Sequence, residues 1–314
     1  MQAARDTAMR ILVVGAGAIG SLFGAYLSRT NDVVLLGRSY HMSAIEQQGL
    51  RISGKTTMHC RLPAVDAVQK ISDSPDIILL TVKSYDTENA MKQIHHLVHD
   101  ETMVISLQNG LGNIETMERI IQKQQILAGV TTHGVIFSKP GEIIHSGQGH
   151  TLLGELTCAR SPRLQKIVQL FNEAGIETDA SDNIIRELWV KAIINSSINP
   201  ITAFFQCKNG YLLQNAVLKN IVEQVCEEST CIAFKAGMPL KSNEMIRRTK
   251  EVIHETAENY SSMAQSVQQG KRTEIDSING YLMTIGKRHG IKTPLNSMLV
   301  DLIYSITKDH EFHP

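Results

Sequence analysis

The chain has 314 residues, room for more than one core, and its 42% hydrophobic and 20% charged residues are a globular composition. Its 31 Lys and Arg balance 31 Asp and Glu, which removes the electrostatic case for nucleic acid or an anionic membrane as partner. No apolar run reaches the roughly 18 residues of a membrane helix, residues 1–10 lack a signal-peptide core, and five scattered cysteines with no C-x-x-C pair fit a cytoplasmic protein with reduced thiols.

In chain order, residues 10–14 form a short apolar run ending in glycine, which predicts a buried strand. Helical spacing follows over 18–28, a second strand over 32–36 and a second helix over 40–48. That alternation with short turns predicts a parallel sheet. Residues 50–62 read as a hairpin with its turn at Gly54-Lys55. Residues 76–82 read as a central strand, 102–107 and 126–136 as further strands, and 142–144 with 151–153 as an edge pair around Gly147 and Gly149. A helix over 162–174 and a strand near 176–178 close this half. Beyond residue 181 the strand signals give way to 3.6-residue periodicity over 184–199, 213–235, 242–259, 274–289 and 294–307. The expected division is therefore an α/β domain, 1–181, and an all-α domain, 182–314, with residues 1–9 as an extension that carries no readable signal.

Gly15-Ala16-Gly17-Ala18-Ile19-Gly20 directly follows the first strand and opens a helix. In that setting Gly15 permits the tight turn, Gly17 lets a pyrophosphate approach the backbone, and Gly20 lets helix and strand pack closely. The helix start at Ala18 and Ile19 offers unpaired N–H groups to the phosphates. At the end of the second strand, Leu36-Gly37-Arg38-Ser39 has no acid for a ribose 2′-hydroxyl. Arg38 can fork onto a 2′-phosphate instead, which favours NADP(H) over NAD(H). Two later strand ends, at Lys83 and at Gln108-Asn109-Gly110, should line the same edge of the sheet.

In the second half, Lys191, Asn195 and Asn199 fall at i, i+4 and i+8, one polar stripe on a helix whose other positions are Val190, Ile193, Ile194 and Ile198. Asparagine is a poor helix former, so the stripe is atypical of a solvated face and costly to bury unless it meets a polar ligand. Pro200 should kink or end that helix. Further on, Thr273 and Asp276 are spaced as a capping box, which puts Glu274 in a first helical turn, where a carboxylate is also favoured without any catalytic role. The twelve histidines show no metal-binding spacing, so no metal site is expected.

Taken in order and spacing, these segments resemble the ketopantoate reductase family over nearly the whole chain. The resemblance rests on the glycine motif, Gly37-Arg38, Val82-Lys83, Gln108-Asn109-Gly110-Leu111-Gly112, Trp189 through Lys191, Asn195 and Asn199, Ser261-Ser262-Met263, Thr273-Glu274-Ile275-Asp276 and Ile278-Asn279-Gly280. It implies a Rossmann-type N-terminal domain and an all-α C-terminal domain with the active site in the cleft between them. It further implies Lys191 as the catalytic lysine and Glu274 as an active-site glutamate. Asn109, Asn195, Asn199 and Ser262 match substrate-binding positions, and Lys83, Asn109 and Glu274 match cofactor-side positions. The implied reaction is NADPH-dependent reduction of a 2-keto acid, 2-dehydropantoate, to pantoate. A related NADP-dependent 2-keto acid or 3-hydroxyacid dehydrogenase is the alternative; a non-catalytic NADPH-binding protein would be expected to lack the lysine and its stripe. The family often has an acid where this chain has Ser266. Monomer and homodimer both stay open.

Overall fold

The computed structural model describes residues 8–307; all but the last two residues of the N-terminal extension lie outside them. β1 (Arg10–Val14) and β2 (Asp32–Leu36) pair in parallel across α1 (Ala18–Leu27), followed by α2 (Ser39–Gln48). The chain continues through the hairpin β3 (Leu50–Gly54) and β4 (Met58–Cys60), then β5 (Ala64–Val65), β6 (Ile77–Leu80), α3 (Thr87–Ile94), β7 (Met103–Ser106) and α4 (Asn113–Glu118). β8 (Ile126–Thr131), β9 (Gly134–Lys139), β10 (Glu142–Gly147), β11 (Thr151–Glu155), α5 (Pro162–Glu173) and β12 (Thr178–Ala180) complete the α/β half. Ser161 caps α5 by accepting the Leu164 N–H at 3.1 Å, and Pro162 in the first turn has no N–H that would need an acceptor.

The large sheet has the order β12-β11-β8-β7-β6-β1-β2-β5. Its six parallel strands, β5-β2-β1-β6-β7-β8, reproduce the doubly wound 3-2-1-4-5-6 arrangement, whose direction of winding reverses between β1 and β6. Strand alternation sends Ile11, Val13 and Leu79 into one apolar layer with Phe23 and Phe171, and Leu12, Val14, Ile78 and Leu80 into the other with Met91 and Val104. With both faces covered, β6 is buried at all four positions, which is why it reads as a continuous apolar run.

A second, four-stranded sheet, β4-β3-β10-β9, packs against α1. It corrects two expectations. Residues 126–136 are not one strand: β8 ends in the large sheet and β9 restarts in the small one, because the chain crosses a second loop at Thr132 and His133. A Cβ on Gly149 would lie 2.3 Å from both the Thr132 carbonyl carbon and the His133 nitrogen. Nor do residues 142–144 pair with 151–153. β10 joins β3 and β9 in the small sheet, whereas β11 pairs with β8 and β12 in the large one.

The helical half comprises α6 (Ile184–Phe205), α7 (Tyr211–Gln214), α8 (Ala216–Lys235), α9 (Ser242–Glu255), α10 (Ser262–Gln268), a π-helical turn (Asp276–Gly280), α11 (Tyr281–Arg288) and α12 (Pro294–Ile306). Asn215 separates α7 from α8 and caps the latter, accepting from Val217 N and Leu218 N. Pro200 does not end α6, which runs on to Phe205. Its i−4 carbonyl, Ser196 O, accepts from the Asn279 side-chain amide at 3.1 Å in place of the missing backbone donor. The chain falls into two compact units, one holding 8–108 with Asn113–Ile185, the other Asn109–Gly112 with 186–307. The short 109–112 loop thus clusters with the helical unit.

Candidate active site

In the α/β unit, the turn after β1 sits where the winding of the sheet reverses, the place at which open α/β sheets bind ligands. Gly15 has φ +89°, and a Cβ there would come 2.5 Å from Val82 N, so glycine is required by conformation and by contact. A Cβ on Gly20 would lie 2.5 Å from Thr81 Oγ1 and 2.8 Å from Gly15 O. Thr81 itself donates to Gly15 O at 2.9 Å and pins the turn, a role the sequence did not reveal. At Gly17 the outcome is different: the residue is exposed, and a Cβ would meet nothing nearer than Gly15 O at 3.8 Å. Gly17 therefore leaves an open face beside the N–H groups of Ala18, Ile19 and Gly20, which have no carbonyl one turn earlier, and no carboxylate lies in the first turn of α1. The chemistry of this cradle fits a dinucleotide pyrophosphate.

Arg38 occupies the N-cap position of α2 and is exposed; among the described residues its guanidinium makes no ion pair. One carboxylate lies at this corner that sequence reasoning passed over. Gly37 N donates to Val65 O at 3.1 Å, bringing β5 alongside, and Asp66 next to it bonds Lys70 Nζ at 2.7 Å and the Ser39 side chain. Lys70 and then Ser39 hold the Asp66 carboxyl below its usual pKa, and Lys70 balances its charge. A 2′-phosphate on Arg38 is thus compatible with this corner. Lys83 precedes a 3₁₀ turn (Ser84–Asp86) as its N-cap residue, directly after the Val82 backbone that touches Gly15.

In the helical unit, α6 presents Lys191 and Asn195 half-buried and Asn199 buried, as the i, i+4, i+8 spacing requires. The amide of Asn195 makes no hydrogen bond among the described residues. Dehydration pulls the Lys191 pKa from its usual 10.5 down to about 8, opposed by the attraction of Glu274. Glu274 is 6% exposed. It does not sit in a capped first turn: the π-helical turn has Ile275 at its N-cap and no side-chain cap, so the expected Thr273–Asp276 capping box is absent. Asp276 instead accepts from the Tyr304 hydroxyl and, at 3.4 Å, from Arg272. Ser262 opens α10 as an exposed residue, positioned by Ser261, whose Oγ caps Ala264 N at 3.1 Å and accepts the Thr202 hydroxyl of α6 at 2.8 Å. Ser266, where an acid was expected by resemblance, is buried and returns its hydroxyl to Ser262 O at 3.0 Å.

Asn109 joins this group through its loop. Leu111 N donates to Ser277 O at 2.8 Å; Gly110, at φ +80°, packs so closely that a Cβ would lie 2.6 Å from the same carbonyl. Gly112, at φ +86°, is equally close to the Tyr281 ring. The two glycines dock the loop on the segment that follows Glu274. Sequence reasoning put Asn109 at a strand end on the sheet edge; the docking of its loop on the segment after Glu274 had no local signal.

A doubly wound sheet with a glycine turn at its switch point, together with a helical unit carrying a dehydrated lysine opposed by a carboxylate, defines a dinucleotide-binding oxidoreductase architecture. Residues 11–157 match the model for "Ketopantoate reductase PanE/ApbA" and residues 183–307 that for its C-terminal region. A 2-dehydropantoate 2-reductase of Pyrococcus horikoshii is 38% identical over 296 residues, covering 94% of this chain and 96% of the relative. One from Archaeoglobus fulgidus is 34% identical and covers 95% and 97%. Among solved structures, 2-dehydropantoate 2-reductase from Geobacter metallireducens superimposes with a TM-score of 0.89 at 28% identity, covering 95% and 100%. D-mandelate dehydrogenase with NADH and anilino(oxo)acetate superimposes with a TM-score of 0.90 at 27% identity, covering 95% and 98%. The chain belongs to the ketopantoate reductase family.

Proposed function

We propose that this chain reduces 2-dehydropantoate to pantoate with NADPH, as a cytoplasmic step of pantothenate and coenzyme A biosynthesis. The observation that carries the reading is the Lys191–Glu274 pair: a half-buried ammonium whose pKa is lowered to about 8 by dehydration, with a buried carboxylate acting on it. Gly15, Gly17, Ala18, Ile19 and Gly20 would hold the pyrophosphate, Arg38 the 2′-phosphate, and Lys83, Asn109 and Glu274 the nicotinamide-side part of the cofactor. When bound, the reduced nicotinamide supplies the hydride. Lys191 hydrogen-bonds the substrate's keto oxygen, stabilises the negative charge that builds there, and passes its proton to that oxygen. Glu274 keeps the lysine protonated beforehand, since an adjacent carboxylate favours the charged form. Asn195, Asn199, Asn109 and Ser262 orient the substrate's hydroxyl and carboxylate through neutral donors and acceptors.

A second reading has its own support: the likeness to D-mandelate dehydrogenase, whose structure holds NADH and anilino(oxo)acetate, spans 95% of the chain. Fold does not fix substrate. Steady-state kcat/KM for 2-dehydropantoate, other branched 2-keto acids and an aryl 2-keto acid, each with NADPH and NADH, separates the two. The proposal expects 2-dehydropantoate with NADPH to lead by at least about tenfold. A lead for the aryl acid, or for NADH, would overturn it.

A further inference from the structure

Pro200 lies in the interior of α6, and proline has no N–H. The carbonyl it should have satisfied, on Ser196, belongs to a fully buried residue and needs another donor. Asn279, itself fully buried, supplies one: its Nδ2 donates to Ser196 O at 3.1 Å and to Asn296 Oδ1 at 2.9 Å. The orientation of this amide is dictated by its surroundings. Glu228 Oε1 accepts from Asn296 N at 2.9 Å and from Asn296 Nδ2 at 2.8 Å, and an ionised carboxylate can only accept. Asn296 must therefore turn its oxygen to Asn279, and Asn279 its nitrogen to both Asn296 and Ser196. The Asn279 Oδ1 is buried with no hydrogen-bond partner among the described residues, so the position is held for its two donations.

Asn279 belongs to the π-helical turn Asp276–Gly280, which continues directly from Glu274 and whose Ser277 carbonyl holds the Asn109 loop through Leu111 N. Ser196 lies on α6 between Asn195 and Asn199 of the Lys191 stripe. One amide thus ties the helix carrying the lysine to the segment carrying the glutamate, at the one backbone gap in that helix. From this juxtaposition we infer that Asn279 is a positioning residue, which fixes the separation between Lys191 and Glu274 by bridging the proline gap of α6 to the π-helical turn. It touches neither substrate nor cofactor. The inference rests on the proposed roles of Lys191 and Glu274.

Removing the proline separates positioning from simple satisfaction of a carbonyl. Pro200→Ala restores a backbone donor to Ser196 O without needing Asn279, so Asn279→Ala, Pro200→Ala and the double variant are compared in the full chain. Two readouts are taken: kcat and KM with 2-dehydropantoate and NADPH, and the titration of Lys191 followed by NMR of isotopically labelled lysine in the unliganded protein. Thermal unfolding checks that each variant folds. The expectation for Asn279→Ala is a kcat reduced by about 10- to 100-fold with KM changed by less than about threefold, and a Lys191 titration moved to lower pH as Glu274 loses its hold on the lysine. In the double variant thermal stability recovers, but kcat and the titration do not. If the double variant regains wild-type kcat and the wild-type titration, Asn279 serves only the orphaned carbonyl and the inference is wrong; an unmoved titration in folded Asn279→Ala overturns it equally. Should the wild type fail to turn over 2-dehydropantoate, the substrate reading falls, while the lysine titration still decides the place of Asn279.

Discussion

At the scale of single residues, the function turns on which groups are charged. A general acid must start protonated, and dehydration leaves Lys191 with a pKa of about 8. The dependence of kcat/KM on pH should therefore be level below that value and fall as pH rises through it. Glu274 raises the lysine's pKa, so Glu274→Gln should carry that falling limb to lower pH as well as lower the rate; a limb that stays in place would separate the two groups. Arg38→Ala should weaken NADPH binding by roughly 10-fold or more while leaving NADH within about twofold, the asymmetry expected when a charge-assisted contact to one phosphate is lost. Equilibrium titration with NADP+ and NAD+ measures this directly, and equal losses would remove Arg38 from the 2′-phosphate. The lysine and its asparagines were legible because helical spacing alone puts them on one face. Asp66 was not, because it enters the corner only through the pairing of β5 with β2, a contact between residues far apart in sequence.

At the scale of elements, the small sheet is fastened to α1 by neutral histidines. His41 Nδ1 accepts from Gly141 N at 2.9 Å, so its Nε2–H donates to Ser21 Oγ at 3.0 Å, just beyond the glycine turn. His133 Nδ1 accepts from Gly149 N at 3.3 Å and faces His145 Nε2 at 3.0 Å, and His145 Nδ1 faces Thr56 Oγ1 at 2.9 Å. Protonation would add a hydrogen where each accepting nitrogen is already occupied. Burial accordingly lowers the pKa of His41 and His133 from 6.5 to about 4, and lowers that of His145. The unfolded chain then binds more protons than the folded one between those values. Stability is complete above about pH 6.5 and falls as pH drops toward 4, each histidine contributing at most about 1.4 kcal/mol per pH unit. Urea midpoints at pH 7.5 and 5 should differ accordingly, and His41→Gln should flatten the difference; a midpoint independent of pH would refute the neutral latch. Gly110→Ala should cost about 1 kcal/mol or more from its left-handed conformation alone, before the clash with Ser277 O. Strand periodicity made β8, β10 and β11 legible but ran β9 into β8. It could not say which sheet each joins, because alternation is the same in both. The helices α3, α4 and α10 went unread, being short or starting from a cap, and the continuation of α6 past Pro200 depends on Asn279, some eighty residues away.

At the scale of the whole molecule, the change from strand to helical periodicity near residue 181 made the α/β and all-α halves legible, and the alternation around one glycine motif made a parallel sheet legible, but not its strand order. The membership of the 109–112 loop in the helical unit was not legible, since contacts such as the backbone bond from Leu111 to Ser277 and the close approach of two glycines have no sequence signature. Among the described residues no helix is long and apolar enough to cross a membrane, and no group of three metal-binding side chains occurs. The proposed chemistry is assigned to the lysine–glutamate pair, on the strength of the carboxylate's action on the half-buried lysine, and to a bound nicotinamide. That assignment meets its most direct test in the initial rate of NADPH oxidation with 2-dehydropantoate, measured for the wild type and for Lys191→Ala at saturating cofactor. The expected result is robust turnover by the wild type and a kcat at least about 10²-fold lower in the variant, the usual scale for loss of a general acid. Turnover by a folded Lys191→Ala within a few-fold of wild type would contradict the account.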